Sequence, residues 1–165
     1  MIRLASCALE GLTGHEAGRR LLEALYRRET GLPLPDICIA PRGKPFFEDS
    51  PLHFSITHTD RHAFCVLSDH PVGIDAEELD RRVRPGLAEK ILSPSEKLQF
   101  DGAEDKPRAL LTFWVLKEAA AKLTGEGLRG YPSHTAFSLE DPAVRVLEGC
   151  LVAILEENEE NDHAV

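Results

Sequence analysis

Apolar positions change their spacing several times along the chain, and the changes mark the elements. Between His15 and Arg28, Leu21, Leu22 and Leu25 stand among Arg and Glu with the spacing of one helix face. Thr13 precedes this stretch and Glu16 follows three residues later, the sequence form of a reciprocal N-cap. Thr30-Gly31, with Pro33 and Pro35 beyond, ends it. Ile37-Cys38-Ile39 then predicts a short strand, and Pro41-Arg42-Gly43-Lys44-Pro45 a turn. Leu52–Thr57, Ala63–Leu67 and Val72–Ala76 read as strands, parted by Thr59-Asp60-Arg61 and Ser68-Asp69-His70-Pro71. From Pro85 to Lys122 the spacing is helical, with a break near Asp101-Gly102. Ser93-Pro94-Ser95-Glu96 opens a helix there, and Thr124-Gly125 closes the one carrying Phe113–Leu123. Thr135–Ser138, Val144–Leu147 and Leu151–Leu155 are β-like again. Strands, helices and strands in blocks, without strict alternation, predict an α+β fold rather than a doubly wound sheet. Neither a sequence repeat nor an interdomain linker stands out, so residues 1–165 read as a single domain.

Composition narrows the class. A chain of 165 residues, 42% hydrophobic and 28% charged, can bury roughly two thirds of its unfolded surface and needs no metal or disulfide staple. Cys7, Cys38, Cys65 and Cys150 lie far apart with no C-x-x-C pair, which predicts free thiols. No apolar run approaches the roughly 20 residues of a spanning helix, and Met1–Cys7 lacks a secretory leader, so the expectation is a cytoplasmic protein with no membrane partner. The net charge of −9 disfavours nucleic acid as a partner, because such binding draws on phosphate neutralisation. Part of that charge sits in an acidic tail, 156–165, with Glu156, Glu157, Glu159, Glu160 and Asp162. Arg19-Arg20, Arg27-Arg28 and Arg81-Arg82-Arg84 are local basic clusters.

Four segments carry candidate chemistry. On a strand, Val72, Ile74 and Ala76 share one face, and Gly73, Asp75 and Glu77 the other. Two carboxylates side by side beside a glycine suit a hard divalent cation, or else form an acidic solvent face of an edge strand. Glu118 and Lys122, four apart, share a helix face; they are either an ordinary helix pair or part of a site holding metal and phosphate together. His58 ends the Phe54–Thr59 strand between Thr57 and Thr59, as a structural hydrogen-bonding residue or as a ligand-binding one. Arg42-Gly43-Lys44-Pro45 either places a cation near a phosphate or is a surface turn. Neither a G-x-x-x-x-G-K-[ST] nor a G-x-G-x-x-G motif is present.

In chain order, Gly43-Lys44-Pro45, Phe54–Thr59, Val72–Glu77 and Trp114–Lys122 resemble the 4′-phosphopantetheinyl transferases, especially the larger surfactin-type branch, over roughly residues 15 to 130. The resemblance implies an α+β fold of two similar halves packed as a pseudo-dimer, here about 1–68 and 69–155, with the site between them. It implies transfer of the 4′-phosphopantetheine arm of coenzyme A to a serine of an acyl or peptidyl carrier protein, releasing 3′,5′-adenosine bisphosphate. By the same resemblance Asp75, Glu77 and Glu118 are ligands of Mg²⁺. Lys122 and His58 match positions that touch the coenzyme A phosphates, and Lys44 a phosphate-binding lysine. Arg19 or Arg20 would lie near the adenosine 3′-phosphate, with Thr57 adding a hydrogen bond to the phosphates. Glu96 matches a carboxylate acting as general base, work that Glu118 or a metal-bound water could also do, so Glu118, Glu96, Lys122 and His58 are the catalytic candidates.

In that branch the N-terminal half is usually longer. A shortened half would expose apolar surface that a homo-oligomer covers, as in the compact holo-carrier synthase branch. Carrier proteins are generally acidic, so Arg81, Arg82 and Arg84 form either a docking patch with Leu92 and Leu98 or simply a solvated arginine run. Two other readings remain at this level. One is a catalytically degenerate protein that binds coenzyme A or a carrier; the other is a Mg²⁺-dependent phosphodiesterase acting on coenzyme A.

Overall fold

The capping box at Thr13 forms as its sequence requires. Thr13 Oγ1 accepts the Glu16 amide, the Glu16 carboxylate accepts the Thr13 amide, and Gly31 closes the helix at φ 73°. The computed structural model describes residues 1–84, 86–126 and 136–157. Along the chain run β1 (Arg3–Ala8), α1 (Gly14–Thr30), β2 (Ile37–Ile39), β3 (Pro45–Phe47), β4 (His53–His58), β5 (His62–Ser68) and β6 (Val72–Glu78). Then follow α2 (Leu87–Ile91), α3 (Pro94–Gly102), α4 (Lys106–Thr124), β7 (Val144–Leu147) and β8 (Cys150–Glu156). The chain is thus α+β, as its blocks of elements predict.

Two antiparallel three-stranded sheets organise it, ordered β1-β5-β4 and β6-β8-β7, with β2-β3 as a separate ribbon. Each sheet comes from a strand, a long helix and a hairpin whose second strand sits in the middle. The inner faces share one core, in which Phe64 and Val66 of β5 meet Val72, Ile74 and Ala76 of β6 and Val152 and Ile154 of β8. α1 covers the outer face of the first sheet, with Leu22, Leu25 and Tyr26 on Phe54, Cys65 and Leu67. α4 covers the second, with Leu111, Val115, Leu116 and Ala119 on Leu151 and Ala153. Burying one such leucine contributes roughly 1.5–3 kcal/mol. Ser55 Oγ on β4 also accepts the Ile74 amide of β6 at 3.2 Å, tying sheet to sheet.

The structure corrects several expectations. The turn at Pro41–Pro45 runs straight into β3, whose three residues pair with β2. The helical stretch after residue 85 is three helices, with α3 capped at Ser93 and ending at Gly102 as expected, and the chain extended at Leu92-Ser93 and at Ala103. No strand forms at residues 136–138, and Thr135 lies outside the described residues. There Phe137 spends its amide on Glu96 Oε2 and its carbonyl on the Gln99 side chain, side-chain partners in place of a neighbouring strand. Leu92 is buried rather than on a docking face, while Leu98 is 76% exposed. Of the acidic tail, Glu156 ends β8 and its carboxylate accepts from Ser68 Oγ; 158–165 lie outside the described residues. All four cysteines are free thiols. Among the described residues no helix is long and apolar enough to cross a membrane.

Candidate active site

The site exists because α4 lies unusually close to β6. A Cβ placed on Gly73 would come within 2.1 Å of the Ala119 carbonyl oxygen and 2.5 Å of the Leu123 amide, so glycine alone lets the helix backbone settle there. Asp75 and Glu77 alternate with inward Val72, Ile74 and Ala76 and so point to the α4 side. Lys122 of α4 thereby reaches Asp75 Oδ1 at 2.9 Å and Thr57 Oγ1 at 3.1 Å. Thr57 Oγ1 stands 3.3 Å from the same carboxylate oxygen as a donor, closing a triangle across β4, β6 and α4.

A cleft of about 920 Å³ opens beside this triangle. Thr57 and His58 line it from β4 and Thr59 from the turn after it, Asp75, Glu77 and Glu78 from β6, and Trp114, Glu118 and Lys122 from α4. Asp75 is buried, and its Oδ2 has no hydrogen-bond partner. Burial raises its carboxyl from the ordinary value, against the pull of Lys122. Glu118 is half-buried and is pushed up to about 7, first by desolvation and then by the facing Asp75 carboxylate. Glu77 accepts from Trp114 Nε1 at 3.0 Å and pairs with Arg81. His58 rests its ring on the first residue of α1, where a Cβ on Gly14 would lie 2.2 Å from the ring.

Three acidic side chains around one ammonium, one with a buried unpartnered oxygen, fit a hard divalent cation. Their oxygens do not all close to within 4.8 Å of one another. Lys44 lines an adjoining hollow of about 320 Å³ that shares Ile56, Glu118 and Lys122 with the cleft. Its Nζ donates to the Leu123 carbonyl at 2.5 Å near the end of α4, and burial lowers its pKa.

The structure therefore brings together Thr57, His58, Asp75, Glu77, Glu118 and Lys122, with Lys44 next door. Arg19 and Arg20 are exposed on α1 and line neither hollow. Glu96 is also apart: fully buried, it accepts the Ser93 and Phe137 amides and pairs with Lys117 Nζ at 2.7 Å. Sequence reasoning assigned no individual role to Trp114, and gave Arg81 only a place in a docking patch rather than in the cleft. Trp114 stands four residues before Glu118, a helix-face signal that could have found it. Arg81 lies in no regular element, so its spacing carries no such signal.

Comparison with known proteins places this geometry. Residues 71–160, just over half of the chain, match the family model described as the 4′-phosphopantetheinyl transferase superfamily. The chain is 32% identical to the 4′-phosphopantetheinyl transferase psf-1 of Bacillus pumilus over 136 residues, 79% of this chain and 56% of that protein. It is 34% identical to the 4′-phosphopantetheinyl transferase gsp of Aneurinibacillus migulanus over 88 residues, 52% of this chain and 36% of that one. It is also 33% identical to the holo-[acyl-carrier-protein] synthase of Erwinia tasmaniensis over 88 residues, 47% of this chain and 70% of that one. The chain thus spans between about a third and just over half of the first two relatives. With β6, α4 and β8 all inside the matched residues, this chain belongs to the 4′-phosphopantetheinyl transferase superfamily.

Proposed function

We propose that the protein transfers the 4′-phosphopantetheine arm of coenzyme A to a serine of an acyl or peptidyl carrier protein. The observation that carries this reading is the convergence of Asp75, Glu77, Glu118 and Lys122 with Thr57 and His58 in one cleft. In this reading the two strand–helix–hairpin units are the halves of a pseudo-dimer, and the cleft is their seam.

The serine oxygen forms a bond to the phosphorus that carries the pantetheine. The bond from that phosphorus to the bridging oxygen breaks, and 3′,5′-adenosine bisphosphate leaves with the electron pair. Asp75, Glu77 and Glu118 would hold Mg²⁺, which neutralises the pyrophosphate and polarises it for attack. Lys122, anchored by Asp75 and Thr57, presents its remaining N–H to a phosphate oxygen. His58, braced on α1, supplies a ring N–H from the opposite wall. Lys44 adds positive charge from the adjoining hollow while fixing the end of α4. The serine proton passes to Glu118, a half-buried carboxylate that lines the cleft, rather than to Glu96, which has no exposed surface. Arg19 and Arg20 would meet the adenosine 3′-phosphate only where coenzyme A extends beyond the cleft and along α1.

Intact-mass measurement of an apo acyl carrier protein with this protein, coenzyme A and Mg²⁺ tests the reading. The expected result is a gain of one phosphopantetheine, abolished by EDTA and reduced at least a hundredfold in Glu118→Gln. Coenzyme A binding without any mass gain would make the protein a binder. Breakdown of coenzyme A without a carrier would make it a phosphodiesterase.

A further inference from the structure

A second cluster of ligating side chains lies where the two sheets meet, at the far end of β6 from Gly73. His62 is the first residue of β5, Glu78 the last of β6 and Cys150 the first of β8. One ligating atom from each lies within 4.8 Å of the other two. His62 Nδ1 stands 3.1 Å from Glu78 Oε1 and 3.7 Å from Cys150 Sγ. A tetrahedral zinc with ordinary bond lengths sets such edges at about 3.3 Å for N to O and about 3.6 Å for N to S.

The arrangement is not that of a cysteine nucleophile with its base. In such a relay the thiol meets one imidazole nitrogen and the carboxylate the other. Here both meet Nδ1, so three donors converge on one point. Cys150 is wholly buried and its thiol is pushed up to about 12, first by desolvation, which suppresses thiolate chemistry at neutral pH. The surroundings suit an ion. Arg61 takes the second oxygen of Glu78 at 2.9 Å and leaves Oε1 turned to the cluster, where Thr59 Oγ1 also reaches it at 2.5 Å. Thr59, Arg61 and Glu78 line the cleft, which provides a path of entry.

We propose that His62, Glu78 and Cys150 form a binding site for a borderline-soft divalent metal such as Zn²⁺, separate from the carboxylates that face α4. A sulfur and a nitrogen among three ligands select against Mg²⁺ and for zinc-like ions. On binding, the Cys150 thiol releases its proton to solvent as the sulfur–metal bond forms, with no change of oxidation state. The ion joins β5 of one sheet to β6 and β8 of the other, so it acts as a staple at the cleft mouth. This inference does not rest on the transferase reading.

Cobalt is the probe, because a thiolate ligand gives Co²⁺ a sulfur-to-metal charge-transfer absorption. The whole chain is titrated with Co²⁺ while excess Mg²⁺ occupies the oxygen-only site. The expected result is that this absorption saturates at one equivalent, is displaced by Zn²⁺, and is absent from Cys150→Ala. Its absence from the wild type, or its persistence in Cys150→Ala, overturns the proposal. Thermal unfolding gives a second readout should Cys150→Ala fold poorly. Zn²⁺ at a hundredfold its dissociation constant should raise the wild-type midpoint by roughly 5–10 °C and leave that of His62→Ala unmoved. An equal rise in His62→Ala overturns it as well.

Discussion

The two strand–helix–hairpin units share a strand order, yet only one of them carries the carboxylates. Under α1 the middle strand presents Cys65; under α4 it presents Ala153. Across the ladder Cys65 is paired with Ala5, whereas Ala153 is paired with Asp75. Two residues further along the edge strands stand Cys7 in the first unit and Glu77 in the second. Glycine is placed differently too. In the first unit Gly14 and Gly18 lie on the helix and admit the side chains of His58 and Ile56. In the second, Gly73 lies on the strand and admits the backbone of α4 itself. A common scaffold thus gives an apolar helix seat on one side and a charged one on the other. The single choice of Gly73 sets how near Glu118 and Lys122 come to Asp75.

Breaking that choice should have the largest effect. In Gly73→Ala the new methyl meets the Ala119 carbonyl, and backbone cannot step aside without lifting α4. Lifting it by about 1 Å should cost transfer on the order of a hundredfold, together with about 1–3 kcal/mol or more of stability. Gly18→Ala meets Ile56 Cγ2 at 2.4 Å, so the Ile56 side chain must turn or shift, a cost on one side chain rather than on backbone that about 1 kcal/mol of helix propensity offsets in part. It should therefore cost less than Gly73→Ala in both measures. Urea unfolding and the carrier mass assay on the two variants check the contrast. Equal losses in both would show that α4 does not depend on backbone contact at Gly73.

The anchoring of α4 gives the next contrast. α1 starts on a surface capping box, whereas α4 is tied to α3 by Lys117 and Glu96, which are 2% and 0% exposed. Removing one partner takes the opposite charge away from a buried ion, at about 3–5 kcal/mol. Glu96→Gln should lose about that much in urea, while the folded fraction transfers phosphopantetheine within a few-fold of the wild type. Unchanged stability with a hundredfold loss of transfer would return Glu96 to the role of general base.

This pair also shows what the sequence could and could not tell. Alternation along Val72–Glu77 put Asp75 and Glu77 on one face, and four-residue spacing put Glu118 beside Lys122; the structure has both. Strand blocks and helix caps were likewise local, and so were legible. The register that seats α4 on Gly73 was not, because it depends on a contact 46 residues away in sequence. Burial of Glu96 was hidden for a related reason. Ser93-Pro94-Ser95-Glu96 reads as a helix start, and Ser93 and Glu96 do form a capping box there, but the second oxygen of Glu96 is satisfied by Phe137, beyond any local spacing. β1 also escaped notice, since Arg3–Ala8 shows no clean alternation and becomes a strand by pairing with β5. The doubling of topology leaves no matching residues to read, because Ala5 and Asp75 hold equivalent places with opposite chemistry.

Cys65 gives the most selective test of the two seats, one that shows only at alkaline pH. Burial under α1 pushes its thiol from 9.0 up to about 12, whereas the unfolded chain titrates near the ordinary value. Below the unfolded value both states keep the proton and stability does not depend on this group. Above it the unfolded state binds fewer protons than the folded one, so stability falls as pH rises. The slope is about 1.4 kcal/mol per pH unit from this thiol until the folded value is reached. Cys150, raised in the same direction, contributes a slope of the same sign. Cys65→Ala, which gives the first unit the residue that Ala153 supplies in the second, should therefore flatten the alkaline fall without abolishing it. Urea midpoints measured across that window decide the matter, and an unchanged slope in Cys65→Ala would mean that water reaches the thiol beneath α1.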